Sequence, residues 1–268
     1  MNIAEKFEQI EMLKGKIEVL GPRKDWDDAF FRKVKIDFTY NSNKLEGNTL
    51  TYGQTIKLLR EFVSPKDAAS GELLDMINHQ KILDIVFVNY RSQSISEDNI
   101  KELHRELMKD PVQWADYGLY SPGQYKSFEN MTVRSTGKIH TYMLPSQVSE
   151  SMEMLIRHIN YLLKNVDTRD ANKHPLSIAT YFHQHFLNII HPFSDGNGRI
   201  GRIFTNLILL KNGYPPVFIK EVNKDEYLKR FELSDKDIEP MLDFMADRLI
   251  ESLEEKWVFM NEMNKKIK

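Results

Sequence analysis

The run His191-Pro192-Phe193-Ser194-Asp195-Gly196-Asn197-Gly198-Arg199-Ile200-Gly201-Arg202 collects the side chains that polyphosphate chemistry needs. Gly196 and Gly198 let the backbone approach an anion closely and turn N–H groups toward it. The start of a helix adds unpaired N–H donors and a positive dipole end. Arg199 and Arg202 lie three residues apart, so on a helix they share a face and reach the same anion. Asp195 stands just before the glycines, and a carboxylate beside phosphates is the usual lone protein ligand of Mg²⁺. His191 enters from the preceding helix, where an imidazole can take a proton from an attacking hydroxyl at neutral pH.

Two other phosphate loops compete for these residues. Gly196-Asn197-Gly198-Arg199-Ile200-Gly201 fits G-x-G-x-x-G, and Glu221 follows at about the distance where a dinucleotide site wants an acid. That reading requires a preceding strand, whereas residues 176–190 carry helical spacing and no βαβ unit is present. A Walker A loop is absent as well, because no Gly-Lys-Ser/Thr follows.

The elements that hold this loop are helical. Ile3, Phe7, Ile10, Ile17 and Leu20 mark a first amphipathic helix, which Gly21-Pro22 breaks. Further helices are expected over about 27–44, from a Thr51 N-cap to 62, over 67–90, and after a Ser96 cap with Ile100, Leu103 and Leu107 inward. From 110 to 144 the pattern changes, punctuated by Gly118, Pro122, Gly123 and Gly137. Met131-Thr132-Val133-Arg134 and Lys138-Ile139-His140-Thr141-Tyr142 flank a Ser135-Thr136-Gly137 turn and read as a β-hairpin. Helices resume after Pro145, and Pro175 suits the first turn of the next. Another starts near Gly196 and stops at Gly213. One or two more fill 225 to the end. The fold class is all-α with a small hairpin.

Composition narrows the function. The chain has 268 residues and a net charge of −2, which offers no basic footprint for nucleic acid or a membrane surface. It has no cysteine, which removes disulfides and thiol catalysis and suits a reducing compartment. Residues 1–20 lack the apolar run of a signal peptide or a membrane span, so a cytoplasmic protein is expected. His183 and His185 lie two apart on a helix with no carboxylate at ligand spacing. With His104 and His158 they read as structural.

The twelve-residue run matches the Fic family motif H-x-F-x-[D/E]-G-N-G-R-x-x-R at every defined position. His174-Pro175, Asn206, Gly213-Tyr214-Pro215-Pro216-Val217 and Ile238-Glu239-Pro240 with Phe244, Ala246 and Asp247 are similar to the flanks of animal Fic AMP-transferases. The resemblance spans about 39–247. It implies that His191 is the general base and that a Ser, Thr or Tyr hydroxyl of a target protein attacks the α-phosphorus of ATP. Phe193 is then the loop anchor and Asp195 the Mg²⁺ ligand. Gly196, Asn197 and Gly198 form the anion nest. Arg199 contacts the β-phosphate, Arg202 the γ-phosphate, and Asn206 lies near the adenosine. Gly198 stands where the family's phosphotransferase branch has lysine, which favours nucleotidyl transfer.

The resemblance also implies a brake. Ser42-Asn43-Lys44-Leu45-Glu46-Gly47 fits [S/T]-x-x-x-E-[G/N], the family's inhibitory-helix motif, although Ser42, Glu46 and Gly47 alone would describe many helix ends. In the family that glutamate pairs with the second motif arginine, here Arg202, and in some relatives it also orients a water that removes AMP. Lys44 departs from the family's apolar residue. The hairpin at about 129–142 resembles the flap along which a target strand docks. It is a few residues longer than in the animal enzymes, and Gly123-Gln124-Tyr125-Lys126 has lysine where the family usually has arginine. The expected organisation is an N-terminal helical region over 1–95 carrying the inhibitory motif and a Fic catalytic core over 96–268. The expected activity is autoinhibited AMP transfer. Transfer of another group, such as UMP or phosphocholine, and an idle nucleotide-binding scaffold are the rivals. A homodimer is left open.

Overall fold

The computed structural model describes residues 1–21, 24–109 and 121–265, without the side chains of 24–27. Pro22 and Gly118 therefore lie outside the described residues. Ten α-helices and one two-stranded sheet are described: α1 Ile3–Val19, α2 Lys24–Leu45, α3 Tyr52–Glu61, α4 Ser70–Asn89, α5 Glu97–Leu107, β1 Met131–Val133, β2 Ile139–Thr141, α6 Pro145–Lys164, α7 Pro175–Gln184, α8 Asn197–Lys211, α9 Lys224–Leu233 and α10 Glu239–Lys265.

Local chemistry sets many of these ends. Asn2 and Glu5 close a capping box on α1. Thr51 caps α3 as expected, and Gln54 completes the box. The Ser96 hydroxyl accepts from the Asn99 amide at the start of α5. Pro145 and Pro175 occupy the first turns of α6 and α7. Gly213, at φ 82°, ends α8 while the Tyr214 amide bonds back to Leu209.

At the centre stand α7 and α8. Every residue of α8 from Arg199 to Leu210 is buried, so this helix is covered on all sides. α2, α4, α5, the stretch after α7 and the partner helix α7 pack against it. α1 lies along α10 at the periphery, where Lys6 pairs with Asp243 and Asp247 at 2.6 and 2.7 Å. One apolar cluster runs from Phe7 through Phe38, Leu107, Phe182 and Phe204 to Leu253. The 1–95 and 96–268 regions thus share one core.

The hairpin is antiparallel, with Met131 opposite Thr141 and Val133 opposite Ile139. Its strands are shorter than expected. Arg134 and Lys138 belong to the turn, which the Arg134 amide closes on the Lys138 carbonyl at 2.9 Å. A second difference matters more. The expected helix through Ile190 widens at its end into a π-helical turn, His185–Ile190. The distal region resolves into two helices, α9 and α10, preceded by a 3₁₀ turn at Glu221–Asn223.

Candidate active site

The π turn delivers His191. Its amide bonds to Phe186 at 2.9 Å, and the residue takes φ 47°, a conformation uncommon for a non-glycine residue. Such strain persists only where surroundings enforce it and clusters at functional sites. Nδ1 donates to the Leu187 carbonyl at 2.8 Å, which leaves Nε2 as the atom able to take a proton. The imidazole stacks on Tyr142 at 3.8 Å with 16° between planes. Burial pushes its pKa down to about 4, against the Leu187 acceptor and with help from the Lys126 charge. The ring is a neutral base at pH 7.

The following residues are stapled in place. Asn197 accepts from the Phe193 amide at 2.8 Å and donates to its carbonyl at 2.7 Å, so this side chain closes the loop on itself. Phe193 is fully buried, and its ring lies 3.7 Å from that of His104, nearly parallel. His104 accepts from the Gly123 amide at Nδ1 and donates from Nε2 to the Asp195 carbonyl at 2.9 Å. Burial lowers its pKa to about 4, which keeps this bridge neutral. Lys126, the departure from the family pattern, lies under the loop. Its amide bonds to the Pro192 carbonyl, and its ammonium reaches Asn130 at 2.6 Å and the Ile190 carbonyl at 3.2 Å. Gly196 has φ 75° and sits so close to Met108 that a Cβ would lie 2.7 Å from its sulfur.

A cavity of about 510 Å³ opens above this loop, within the range of nucleotide-sized sites. His191, Asp195, Gly196, Asn197, Gly198 and Arg202 line one wall; Glu46 reaches in from the end of α2. Tyr142 and the hairpin residues Thr132, Val133 and Arg134 form another wall, and Tyr227 and Phe231 of α9 close the far side. A roomier groove of about 760 Å³ lies on the opposite face of α2, at Lys33, Tyr40 and Tyr52, away from the loop.

Arg202 is already engaged. Its Nε donates to the Ser42 hydroxyl at 3.0 Å, and its Nη2 donates to the Ser42 carbonyl at 2.9 Å and to Glu46 Oε1 at 2.7 Å. Burial opposes the Glu46 charge, but the Arg202 and Arg199 guanidiniums outweigh it and hold the carboxyl below its usual value. Gly47, at φ 97°, turns the chain away after Glu46. Behind it Glu72 of α4 accepts from the Thr49 amide at 2.5 Å and, through its carbonyl, from Asn48 at 3.0 Å. Lys44 leans on Glu221 at 3.8 Å and over the Tyr40 ring.

Two residues of the expected site stand behind the cavity wall. Arg199 does not line the cavity; its buried guanidinium pairs with Asp75 of α4 and lies 3.9 Å from Asp195. Asn206 is buried below the wall, where it donates to Arg202 and Val217 carbonyls and accepts from the Val217 amide at 2.6 Å. It fastens the strand-like stretch after Gly213 to α8. Sequence reasoning did not single out Asp75 or Tyr142, while His104, expected to be structural, bridges the Gly123 amide and the Asp195 carbonyl. Each lies at least 49 residues from His191 in the chain, on an element without a motif of its own.

For a divalent cation the fit is specific. The Asp195 carboxylate lines the cavity and is 43% exposed, with one oxygen accepting from the Gly196 amide at 2.6 Å. Among the described residues no group of three or more His, Cys, Asp or Glu could hold a metal. A hard cation here would take Asp195 together with oxygens from a bound phosphate and water, as Mg²⁺ does. No helix of the described residues is long and apolar enough to cross a membrane.

A Fic/DOC family model matches residues 94–209. A solved Fic domain containing signaling protein from Bacteroides thetaiotaomicron superposes with a TM-score of 0.84 at 30% identity, covering 95% of this chain and 97% of that one. Protein adenylyltransferase Fic from Nematostella vectensis is 30% identical over 228 residues, 82% of this chain and 47% of that protein. The protein of the same name from Drosophila persimilis is 28% identical, over 82% of this chain and 39% of its own length. The chain thus spans less than half the length of these curated relatives.

Proposed function

The chain belongs to the Fic/DOC family, and from that premise we propose that it is a protein adenylyltransferase whose resting state is autoinhibited. The observation that carries this reading is the meeting of three groups in one cavity: a neutral His191, an accessible Asp195, and an Arg202 already occupied by Glu46 and Ser42.

The geometry supports the chemistry that the family resemblance implies. His191 Nε2 takes the proton of a Ser, Thr or Tyr hydroxyl as its oxygen attacks the α-phosphorus of ATP, and pyrophosphate departs. Asp195 would hold Mg²⁺, which would supply charge neutralisation at the phosphates. The amides at the start of α8 face the same anion. Release of Glu46 from Arg202 frees that guanidinium for the γ-phosphate. A target segment docks along 129–142, where Met131, Val133 and Ile139 are exposed beside the cavity. The absence of cysteine suits a cytoplasmic setting.

Intact-protein mass spectrometry on a Glu46→Gly chain, incubated with Mg²⁺ and each nucleoside triphosphate in turn, tests the transferred group. An added mass of AMP, with ATP alone, is the expected result. An added UMP or a bare phosphate would replace this reading with another transferase.

A further inference from the structure

We propose that Asp75, on α4, is a positioning residue for phosphate recognition: it pins the Arg199 guanidinium from outside the loop and presents its Nη2 end beside Asp195. The proposal rests on the reading of Arg199 as a β-phosphate contact.

The geometry of the guanidinium carries it. Arg199 is 4% exposed, so its charge sits in surroundings that cannot solvate it. Nη1 donates to Asp75, whereas among the described residues Nη2 meets the Met108 sulfur at 3.4 Å and Asp195 Oδ2 at 3.9 Å. Buried Nε has no hydrogen-bond partner. The guanidinium therefore stands between two carboxylates, in contact with one and a step short of the other. Asp75 lies outside the cavity lining and touches no loop residue's backbone in the described contacts, so its hold on the loop runs through Arg199.

That balance has a chemical consequence. An arginine that lost Asp75 would keep its buried charge and find Asp195 as the nearest carboxylate. Closing the 3.9 Å gap would consume the very oxygens a metal–phosphate group needs. Asp75 prevents this by satisfying Arg199 from the far side, and it leaves Nη2 turned toward the site. A competing anion would act in the opposite sense, since it would hold Arg199 away from the phosphate and tighten binding when removed.

Calorimetric titration of the full chain with Mg²⁺-ADP and with AMP tests the proposal, because the two probes differ in the β-phosphate and neither needs the γ-phosphate site. Asp75→Asn is expected to weaken ADP about tenfold or more, the size of one lost charge-assisted contact, and to leave AMP within about twofold. Asp75→Glu, which keeps the carboxylate, should recover most of the ADP affinity, and it keeps the test open if the asparagine variant melts early. Equal loss for both nucleotides would make Asp75 a purely structural residue. Unchanged or tighter ADP binding would make it idle or a competitor. Arg199→Ala separates the levels: if that variant does not weaken ADP more than AMP, the phosphate role of Arg199 falls. If it does and Asp75→Asn does not, only the positioning role falls.

Discussion

A methyl group at position 198 would overlap the Glu46 carboxylate and lie 2.9 Å from Arg202 Nη1. Gly198 is helical, where alanine is otherwise favoured by roughly 1 kcal/mol. Gly198→Ala should therefore lower the melting temperature of the parent chain and spare or raise it in a Glu46→Gly background. Differential scanning calorimetry of the four-member cycle reads the coupling, and additive effects would mean that Glu46 does not occupy this space. His191 makes a second residue-level claim. Its imidazole is neutral above about pH 4, so protonation removes the base only as pH falls through about 4, well below the usual histidine value. In a Glu46→Gly chain, which loses the Glu46 charge that raises this value, the acid limb of kcat/KM for AMP transfer should lie in or below that region, since this profile reports the free enzyme. His191→Ala should retain nucleotide affinity and lose about a hundred-fold or more in rate. An acid limb near 6.5, or an undiminished rate, would remove the assignment. The contiguous motif made His191, Asp195 and Arg202 legible in the sequence. Asp75 and Tyr142 were not, because generic helical or strand periodicity carries no sign of which loop a side chain meets.

Elements explain how a short loop holds such geometry. The π turn before His191 widens the end of the α7 segment and leaves Ile189 40% exposed while Phe186 and Ile190 stay buried, so helical spacing, which puts all three on the inner face, is wrong for Ile189. Capped ends were legible: Thr51, Ser96 and Pro175 announce themselves by chemistry that acts within one turn. The hairpin's place over the cavity was not, because it depends on contacts across the chain. Arg134, 9% exposed, bridges to both oxygens of Asp235 at 2.8 Å and to Asn188 at 3.1 Å. His140 receives from Arg134 and donates to the Asn188 carbonyl at 2.7 Å, and Glu232 accepts from the Ser135 amide at 2.7 Å. Two three-residue strands have little stability of their own. Arg134→Ala should therefore speed amide exchange across residues 131–141 and leave α8 protected. Hydrogen-exchange mass spectrometry checks this, and unchanged protection in the hairpin would show that the clamp is dispensable.

At the scale of the molecule, the Ser42–Glu46 segment and the His191–Arg202 loop are parts of one packed body. Phe38 and Leu45 of α2 share an apolar cluster with Phe182 and Phe204 of the central pair. α4 holds the chain after Glu46 through Glu72 and holds Arg199 through Asp75, one turn apart on the same helix. This packing sets the Glu46 carboxylate against Arg202 at 2.7 Å. The contact of Ser42 and Glu46 with Arg202 was expected because both match a family motif. The packing behind it was not, because it comes from helices spread across the chain. The most direct measurement is incubation of parent, Glu46→Gly, and Glu46→Gly with Arg202→Ala in Mg²⁺ and ATP labelled on either the α- or the γ-phosphate. Nucleotidyl transfer restrained by Glu46 predicts that protein-bound label comes from the α-phosphate alone, rises in Glu46→Gly, and falls back in the double variant. Label from the γ-phosphate, or no gain in Glu46→Gly over the parent, would contradict it.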